Sequence, residues 1–515
     1  SDAVALLLER ARAASPRRAV SDTDLDAALA IVRRLDGLPL AIEMAAAWLR
    51  SSSVVELAAR LAAPAGTLEL SGSTTGERHR TLRTAFDSSI QRLEADELAL
   101  FRRLAVFAGP VPAAAIAAVS GRTPQEVARV VASLVDRSLV APVATGAATR
   151  YGLLVPVREL AAELLAASGE EGDTRRRHLA WLTELARFEY ARRITDEAAS
   201  IRALTGVLDD LRAALASSMD TRPGRHPIPE LRAAGQELAG WIGWFWLNSG
   251  RIAEGRPLYE AALAGSTGPT RARILRGLGY MATYTGEPAL GVELLRECVA
   301  IWHELDEPLD HALAFSALGW AYLWPGHNEL ALAAFERGAE QADRIRDPAL
   351  RAPMQGVLLG DMAQTLVAMR DIRRGRELGA RILREAAPGD LRTLHFGHHF
   401  LGDCALLEHD PATAAAMYAQ SLELAVTLDD PVETCVELEG VAMAQAGLGR
   451  TLDALRIFDA TEAWLDRMGV QIQVPFWKEL KAEWIGPARA SLGSAGEPDG
   501  TPLGAAAAVA LARSL

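Results

Sequence analysis

The sequence predicts a mainly α-helical chain made of a helical domain, a winged helix and a long solenoid of helix pairs. Three observations support this prediction. Half of the 515 residues are hydrophobic and only 6% are aromatic, a composition typical of helices that pack through alanine and leucine. The helical pattern changes to a strand pattern once, within residues 139–154. Beyond about residue 230, small residues and proline breaks recur with a period near 40 residues, which indicates a repeat architecture.

Residues 1–75 are predicted to form the helical domain. The cluster SDTD at residues 21–24 is a good N-cap for a helix that runs to about Leu35. The segment DGLPL at residues 36–40 breaks this helix, and Pro39 then occupies the first turn of the next helix, where its missing N–H group costs nothing. A flexible connector, SGSTTG, ends the domain.

Residues 76–168 are predicted to form the winged helix. Helical patterns cover about residues 80–92, 95–107, 112–119 and 124–137. Residues 139–143 and 150–154 then have the character of short strands, and the loop containing Gly146 closes them into a hairpin. Short helices followed by a small hairpin are the arrangement of a winged helix.

The remainder is predicted as a helical linker (169–228), a repeat array (229–490) and a C-terminal tail (491–515). A Leu-Gly pair or a near match recurs in the array at intervals of 40, 41, 42 and 38 residues, at Gly279, Gly319, Gly360, Gly402 and Gly440. Paired helices at a fixed period indicate a tetratricopeptide-like solenoid. The glycine in the first helix of each pair is expected to allow the second helix to approach closely.

Charge and cysteine content limit the partners. The net charge is −12; residues 1–100 contribute −2 and residues 101–190 contribute +2, so the rest of the chain carries about −12. An acidic array is a poor partner for phosphate backbones and suits proteins or small molecules better. Three cysteines without C-x-x-C spacing fit a reducing cytoplasm. The first residues have no signal-peptide pattern and resemble the middle of a domain, so we expect either a piece of a longer parent protein or the product of a gene that lost its front end.

Five segments together resemble the C-terminal part of bacterial STAND signalling ATPases of the NB-ARC type, in particular actinobacterial regulators associated with SARP and LuxR domains. RLDGLPLAIE at residues 34–43 resembles their GLPL segment. Residues 78–82 with LFRRLAVFAG at 100–109 resemble the start of their winged helix, and residues 151–154 with Arg158 resemble its closing hairpin. LDDLRAAL at residues 208–215 is similar to the helix before their repeats, and residues 454–469 to their last repeat.

The resemblance implies that Gly37, Leu38 and Pro39 lie on the adenine side of an ATP or ADP bound by the parent protein. The alternative interpretation is a proline that starts a buried helix. A phosphate-binding loop, G-x-x-x-x-G-K-[ST], is missing, because neither Lys478 nor Lys481 follows a glycine. We therefore expect this chain to hold no cofactor by itself, to have no catalytic residues and to be no enzyme.

Two groups of residues in the array are predicted to bind a partner or effector on its concave face. Trp320, Tyr322 and Trp324 supply aromatic surface, whereas His395, His399 and Asp403 supply polar groups at i, i+4 and i+8 on one helical face. The alternatives are that the aromatic residues fill the core and the histidines are structural. This histidine spacing could also ligate zinc, but no C-x-x-C or H-E-x-x-H motif accompanies it, so no metal site is predicted.

The function that the resemblance implies is that of the regulatory and sensor part of a STAND-type ATPase, which controls transcription in the cytoplasm. The repeats would bind a protein or a small effector. Because the winged helix acts as a regulatory clamp in that family and carries little positive charge here, we expect no direct contact of this chain with nucleic acid. No apolar run of ~18 residues occurs in the sequence, so we expect no contact with a membrane. The alternative is a stand-alone scaffold of repeats that assembles other proteins and has no nucleotide role.

Overall fold

The computed structural model of the protein describes residues 4, 22–34, 53–62, 90–137, 139–145, 148–219, 229–387, 389–492 and 503–515. The described residues are mostly helical, which confirms the predicted fold class. They divide into two compact units. The first reaches Trp181 and includes Asp209–Ala213, and the second contains Leu182–Leu208 and Ala214–Leu515. None of the helices in these ranges has the length and apolar character that a membrane crossing requires.

The first unit begins with helices α1 (Asp22–Arg34) and α2 (Val54–Ala62). Helix α1 agrees with the helix predicted from the N-cap cluster, and it buries Ala28, Ile31 and Val32. The GLPL residues Gly37, Leu38 and Pro39 lie outside the described residues, as does the predicted connector at residues 71–76. Their expected role beside a nucleotide therefore stays a prediction.

The winged helix follows in the same unit. Its elements are α3 (Ala95–Arg103), a 3₁₀ turn (Leu104–Val106), β1 (Val111–Pro112), α4 (Ala113–Ser120), α5 (Pro124–Asp136), β2 (Ala141–Thr145), β3 (Ala148–Gly152) and α6 (Val155–Ser168). The three strands form an antiparallel sheet in the order β1-β3-β2. Its core contains fully buried side chains from α3, β1 and α5, among them Phe101, Val111 and Leu134.

The hairpin differs from its predicted position by two residues. Leu139 and Val140 were predicted as strand, but both are buried and both donate their N–H groups to the carbonyl of Leu134, so they end helix α5 instead. The next strand also ends early, because Leu154 is the N-cap of α6. Strand β1 was not predicted at all, since two residues are too short for a periodic signal.

Helices α7 (Glu171–Arg192), α8 (Glu197–Thr205) and α9 (Leu208–Ser218) precede the array. Six helix pairs follow: α10 (Pro229–Asn248) with α11 (Ile252–Leu263), α12 (Gly268–Tyr284) with α13 (Pro288–Leu305), α14 (Pro308–Leu323) with α15 (Asn328–Asp343), α16 (Pro348–Ala368) with α17 (Ile372–Glu385), α18 (Leu391–Leu407) with α19 (Pro411–Thr427), and α20 (Pro431–Gly447) with α21 (Thr451–Met468). Helices α22 (Pro475–Leu492) and α23 (Ala505–Arg513) end the chain. The predicted repeat architecture is confirmed.

The recurring glycines all lie in the first helix of a pair, but they serve two different neighbours. Gly279, Gly319 and Gly402 face the second helix of their own pair, as expected; a Cβ on Gly279 would lie 2.6 Å from Leu295. For the other two the expectation is wrong. Gly360 faces Phe396 in the first helix of the next pair, and Gly440 faces Tyr418 in the second helix of the preceding pair. Large rings that lie between successive pairs account for this difference.

Gly319→Ala is expected to lower the free energy of unfolding by about 1–3 kcal/mol. The added Cβ would lie 2.6 Å from Cδ1 of Phe335, whose ring is completely buried and cannot move aside. The matched control is Gly486→Ala in helix α22, where a Cβ has no neighbour within 4 Å. That change should be neutral or stabilise by up to ~1 kcal/mol, because alanine is the better helix former. Urea unfolding compares the two, and equal losses would contradict the packing described.

Candidate functional site

A cavity of about 200 Å³ lies within the second unit and is the candidate site. The first helix of each of the six pairs contributes to its wall: α10, α12, α14, α16, α18 and α20. Residues beside α7 and at the start of α8 line the rest. Because a cavity of roughly 150 Å³ holds benzene, this larger space can hold a small aromatic molecule.

The apolar part of the wall is aromatic. Each ring is only partly buried, so it presents surface to the cavity; the five are Trp244, Tyr280, Tyr284, Trp320 and Phe396. They come from four of the six pairs, so the site exists only when the pairs are stacked. Aromatic faces carry a negative quadrupole and attract cations as well as apolar groups.

The polar part of the wall is acidic. Five acidic residues line it, Glu197, Asp361, Asp390, Asp430 and Glu433, against two arginines, Arg193 and Arg392. Arg392 is already paired, because its Nη2 lies 2.9 Å from Glu197 and 2.8 Å from Asp430. Glu433 and Asp361 are therefore left with less compensating charge, and burial raises the pKa of both carboxyl groups.

Asp361 is the most buried acid of the wall, with 1% of its surface exposed. Its carboxylate accepts hydrogen bonds from Ser316 Oγ at 2.7 Å and from Trp320 Nε1 at 2.8 Å. Burial nevertheless raises the pKa of Asp361 to about 7, because these two neutral donors offset only part of the desolvation. The carboxyl group is therefore ionised only in neutral and alkaline solution, where it can attract a cation.

A smaller cavity of about 60 Å³ adjoins the first and shares Tyr284, Trp320, Phe396 and Glu433 with it. Three of the predicted binding residues line these spaces. Trp320 lines both cavities, while Trp324 and His399 line the smaller one. Tyr322, His395 and Asp403 are buried and line neither; the Tyr322 hydroxyl accepts a hydrogen bond from Arg296 at 2.9 Å.

The predicted histidines belong to a buried polar cluster between α18, α19 and α20. His399 Nδ1 lies 2.8 Å from Glu437 and its Nε2 lies 3.5 Å from Asp403, whose other oxygen accepts the Tyr418 hydroxyl at 2.6 Å. Burial favours the neutral imidazole, but the Asp403 and Glu437 carboxylates outweigh it and raise the pKa of His399 to about 10. Burial likewise favours neutral Glu437, but the charge of His399 lowers the pKa of Glu437 to about 2.

Sequence reasoning missed Asp361, Glu433 and Glu437. A signal for the first was present: Leu-Gly-Asp occurs twice at equivalent repeat positions, ending at Asp361 and Asp403. The two glutamates carry no such signal. They belong to α20 and meet α18 only because successive pairs stack, so their proximity depends on the rotation between pairs.

The exposed face of α5, where a winged helix would meet DNA, is poor in free positive charge. Arg129 on this face lies 2.8 Å from Asp96, and Arg137 lies 3.8 Å from Glu97. Glu126, also exposed, closes the N-terminal capping box of the helix. Across residues 93–166, seven arginines are balanced by seven aspartates and glutamates. Binding to phosphates needs clustered cations, and the described residues of α5 do not form such a cluster.

Comparison with known proteins finds a domain-family match within the first unit. The model of the winged helix-turn-helix domain family matches residues 93–166, the region that folds as α3 to α6. The predicted winged helix is therefore confirmed by both fold and sequence.

Longer similarities extend beyond this domain. A candidate HTH-type transcriptional regulator of Mycobacterium tuberculosis and its counterpart in Mycobacterium bovis are each 32% identical to this chain over 362 residues, 67% of this chain and 40% of the relative. An uncharacterised M. tuberculosis protein is 34% identical over 175 residues, 33% of this chain and 44% of that protein. A STAND protein with a tetratricopeptide repeat sensor from Pyrococcus horikoshii aligns with a TM-score of 0.42 and 13% identity, covering 96% of this chain and 69% of that one. The chain thus spans less than half the length of the curated relatives it matches.

Proposed function

We propose that this chain is the regulatory and sensor part of a STAND-type ATPase that controls transcription, and that its array recognises a small organic cation in the 200 Å³ cavity. The similarity to mycobacterial candidate regulators and the winged helix support the regulatory role. The GLPL segment supports an ATP- or ADP-binding parent protein. The observation that carries the sensor role is the cavity itself, to which all six helix pairs contribute.

The chemistry of the wall favours a cation over an anion. Five aromatic rings surround the space, and the acids on the wall outnumber the arginines. A protonated amine could lie against the faces of Trp244 or Trp320 and approach Asp361, while its apolar body occupies the rest of the cavity. An anion would meet Glu433 and Asp361, while Arg392 is engaged by Glu197 and Asp430. The other arginine of the wall, Arg193, lies with its guanidinium 3.6 Å from the ring centroid of Tyr190.

In this proposal the winged helix acts within the regulator instead of contacting DNA. The balanced charge of residues 93–166 supports this role, as does the pairing of Arg129 and Arg137 with acids of helix α3. Effector binding would shift the balance between two packing states of the parent protein by its difference in affinity for them.

Tryptamine and indole-3-propionate test the proposal, because they share the indole ring system and a two-carbon chain but carry opposite charges. By calorimetry at pH 8, where Asp361 is ionised, we expect saturable one-to-one binding of tryptamine and at least ~10-fold weaker binding of the acid. Affinity for tryptamine should fall below pH 7 as Asp361 takes up its proton, and Asp361→Asn should weaken binding at pH 8 while removing this pH dependence.

A second pair of variants tests whether tryptamine binds in the cavity or at the protein surface. Val357→Trp fills the cavity and should abolish tryptamine binding, whereas Leu330→Trp, at an exposed position of α15, should leave it unchanged. Equal binding of the two indoles, or binding that survives Val357→Trp, would argue against the cavity as a cation sensor and would favour a scaffold of repeats without a small effector.

A further inference from the structure

We propose that His395, Glu433 and Glu437 form a binding site for a divalent transition-metal ion of the zinc type. One imidazole and two carboxylates are a donor set that such ions accept in proteins. The three side chains come from two helices, His395 from α18 and the glutamates from successive turns of α20. This proposal goes beyond the proposed effector site and does not depend on it.

The distances between donor atoms fit one ion. The nitrogen and the two oxygens all lie within 4.8 Å of one another. His395 Nε2 is 3.0 Å from Glu437 Oε1 and 3.9 Å from Glu433 Oε2. Two ligand atoms of a tetrahedral zinc ion, with bonds of about 2.0–2.1 Å, lie about 3.3 Å apart. The two measured distances from His395 lie on either side of this value, so small side-chain rotations would bring the donor atoms to the spacing that a zinc ion needs.

Unpartnered buried atoms are the second observation that points to an ion. Glu437 is completely buried and forms an ion pair with His399, yet neither of its carboxylate oxygens has a hydrogen bond of regular geometry within the described part of the chain, and the same holds for both ring nitrogens of His395. His395 Nε2 approaches Glu437 Oε1 at hydrogen-bond distance but not in a hydrogen-bond direction. Buried polar groups are costly without partners, and a cation bound by their lone pairs would satisfy both.

The surroundings leave one side of the site open. Glu433 is only partly buried and lines both cavities, so an ion could enter from there and keep an exchangeable position. Arg392 lies 3.9 Å from Glu433, and His399 lies 2.8 Å from the same Glu437 oxygen that faces His395. The competing interpretation is an ion pair between His399 and Glu437 that needs no metal. It leaves His395 unexplained.

Cobalt(II) is the probe for this site, because it replaces zinc and absorbs visible light when bound with low coordination number. Titrating the metal-free chain at pH 7.5 should give d–d absorption that saturates at one equivalent and is displaced by one equivalent of Zn²⁺, whereas Mg²⁺ should not compete. His395→Gln and Glu437→Gln should each weaken binding at least ~10-fold. His409→Gln, at a largely exposed histidine of the same unit, should bind as the parent chain does.

The test remains decisive if the buried variants fold poorly. Glu433→Gln alters the partly exposed ligand and should weaken Co²⁺ binding while circular dichroism stays unchanged. Saturable absorption lost in the ligand variants and retained in His409→Gln supports the site. Absence of d–d absorption in the parent chain, or equal absorption in Glu433→Gln and the parent, overturns it in favour of the ion pair. Tryptamine binding is measured separately, so failure here leaves the effector proposal untouched.

Discussion

Asp310→Ala is expected to lower the free energy of unfolding of the second unit by about 3–5 kcal/mol, because it leaves buried positive charge without its partner. Asp310 in α14 accepts hydrogen bonds from the Tyr190 hydroxyl at 2.6 Å and from Arg273 at 2.7 Å. Arg276 is also buried, lies 3.8 Å from the same carboxylate and donates to Tyr190 at 2.8 Å. Burial alone would raise the pKa of Asp310, but the two arginines lower it, so the carboxylate is ionised at neutral pH.

The matched control is Glu340→Ala in helix α15, where an exposed glutamate pairs with Arg337 three residues earlier. An exposed pair of this kind contributes about 0.2–1 kcal/mol at most. Chemical unfolding at pH 7 should therefore separate the two variants by several-fold in free energy. The pKa of Asp310 is lower in the folded than in the unfolded protein, so its carboxylate stabilises the fold at pH values above the unfolded pKa. The difference in unfolding free energy between the two variants should therefore shrink as the pH falls below about 4. Equal losses at pH 7 would mean that the Asp310 cluster is not a buried charge network.

Trp324→Ala is the second change with a large expected effect, a loss of about 3–5 kcal/mol. Trp324 ends helix α14 with 3% of its surface exposed, its ring centroid 4.4 Å from that of Tyr284. Its Nε1 donates to the carbonyl of Gln471 at 3.0 Å, which ties the array to the segment before α22. Burial of this degree favours the core interpretation of Trp324 over a recognition role.

Thermal and urea unfolding measure this effect, with Trp324→Phe and Phe188→Ala as controls. Phenylalanine keeps most of the buried area and loses the hydrogen bond, so its cost should be about 1–2 kcal/mol. Phe188 is 60% exposed, and its truncation should cost less than ~1 kcal/mol. If Trp324→Ala instead left stability unchanged and abolished tryptamine binding, Trp324 would be a recognition residue after all.

The architecture was readable from the sequence because its signals are local. The period near 40, the proline breaks and the glycines in first helices each describe one pair and its immediate neighbour. The errors concern contacts between pairs: Gly360 and Gly440 face rings of adjacent pairs, which a period alone cannot specify. The predicted position of the hairpin was wrong for a similar reason. Leu139 has the character of a strand residue in the sequence, and only the tertiary structure shows that the core buries it at the end of a helix.

Only part of the candidate site could be predicted from the sequence. Aromatic density identified Trp320, which lines both cavities, but the acids opposite it lie on other pairs. Glu437 contacts His395, which belongs to the preceding repeat, and nothing in the local sequence around either residue indicates this contact. A charged residue in an amphipathic helix is ordinarily a solvent-facing one, so sequence reasoning assigns Glu433 and Glu437 to the surface.

The central claim is that the cavity formed by the first helices is where an effector binds, and Met354 reports on it directly. Its side chain lines the cavity wall, whereas Met369 in the same region of the chain is exposed and lies outside that wall. With ¹³C-methyl-labelled methionine, titration of tryptamine at pH 8 should shift the Met354 methyl resonance in proportion to the calorimetric saturation and leave Met369 unchanged. Saturable binding that shifts Met369 or other methionines while Met354 stays fixed would contradict the account.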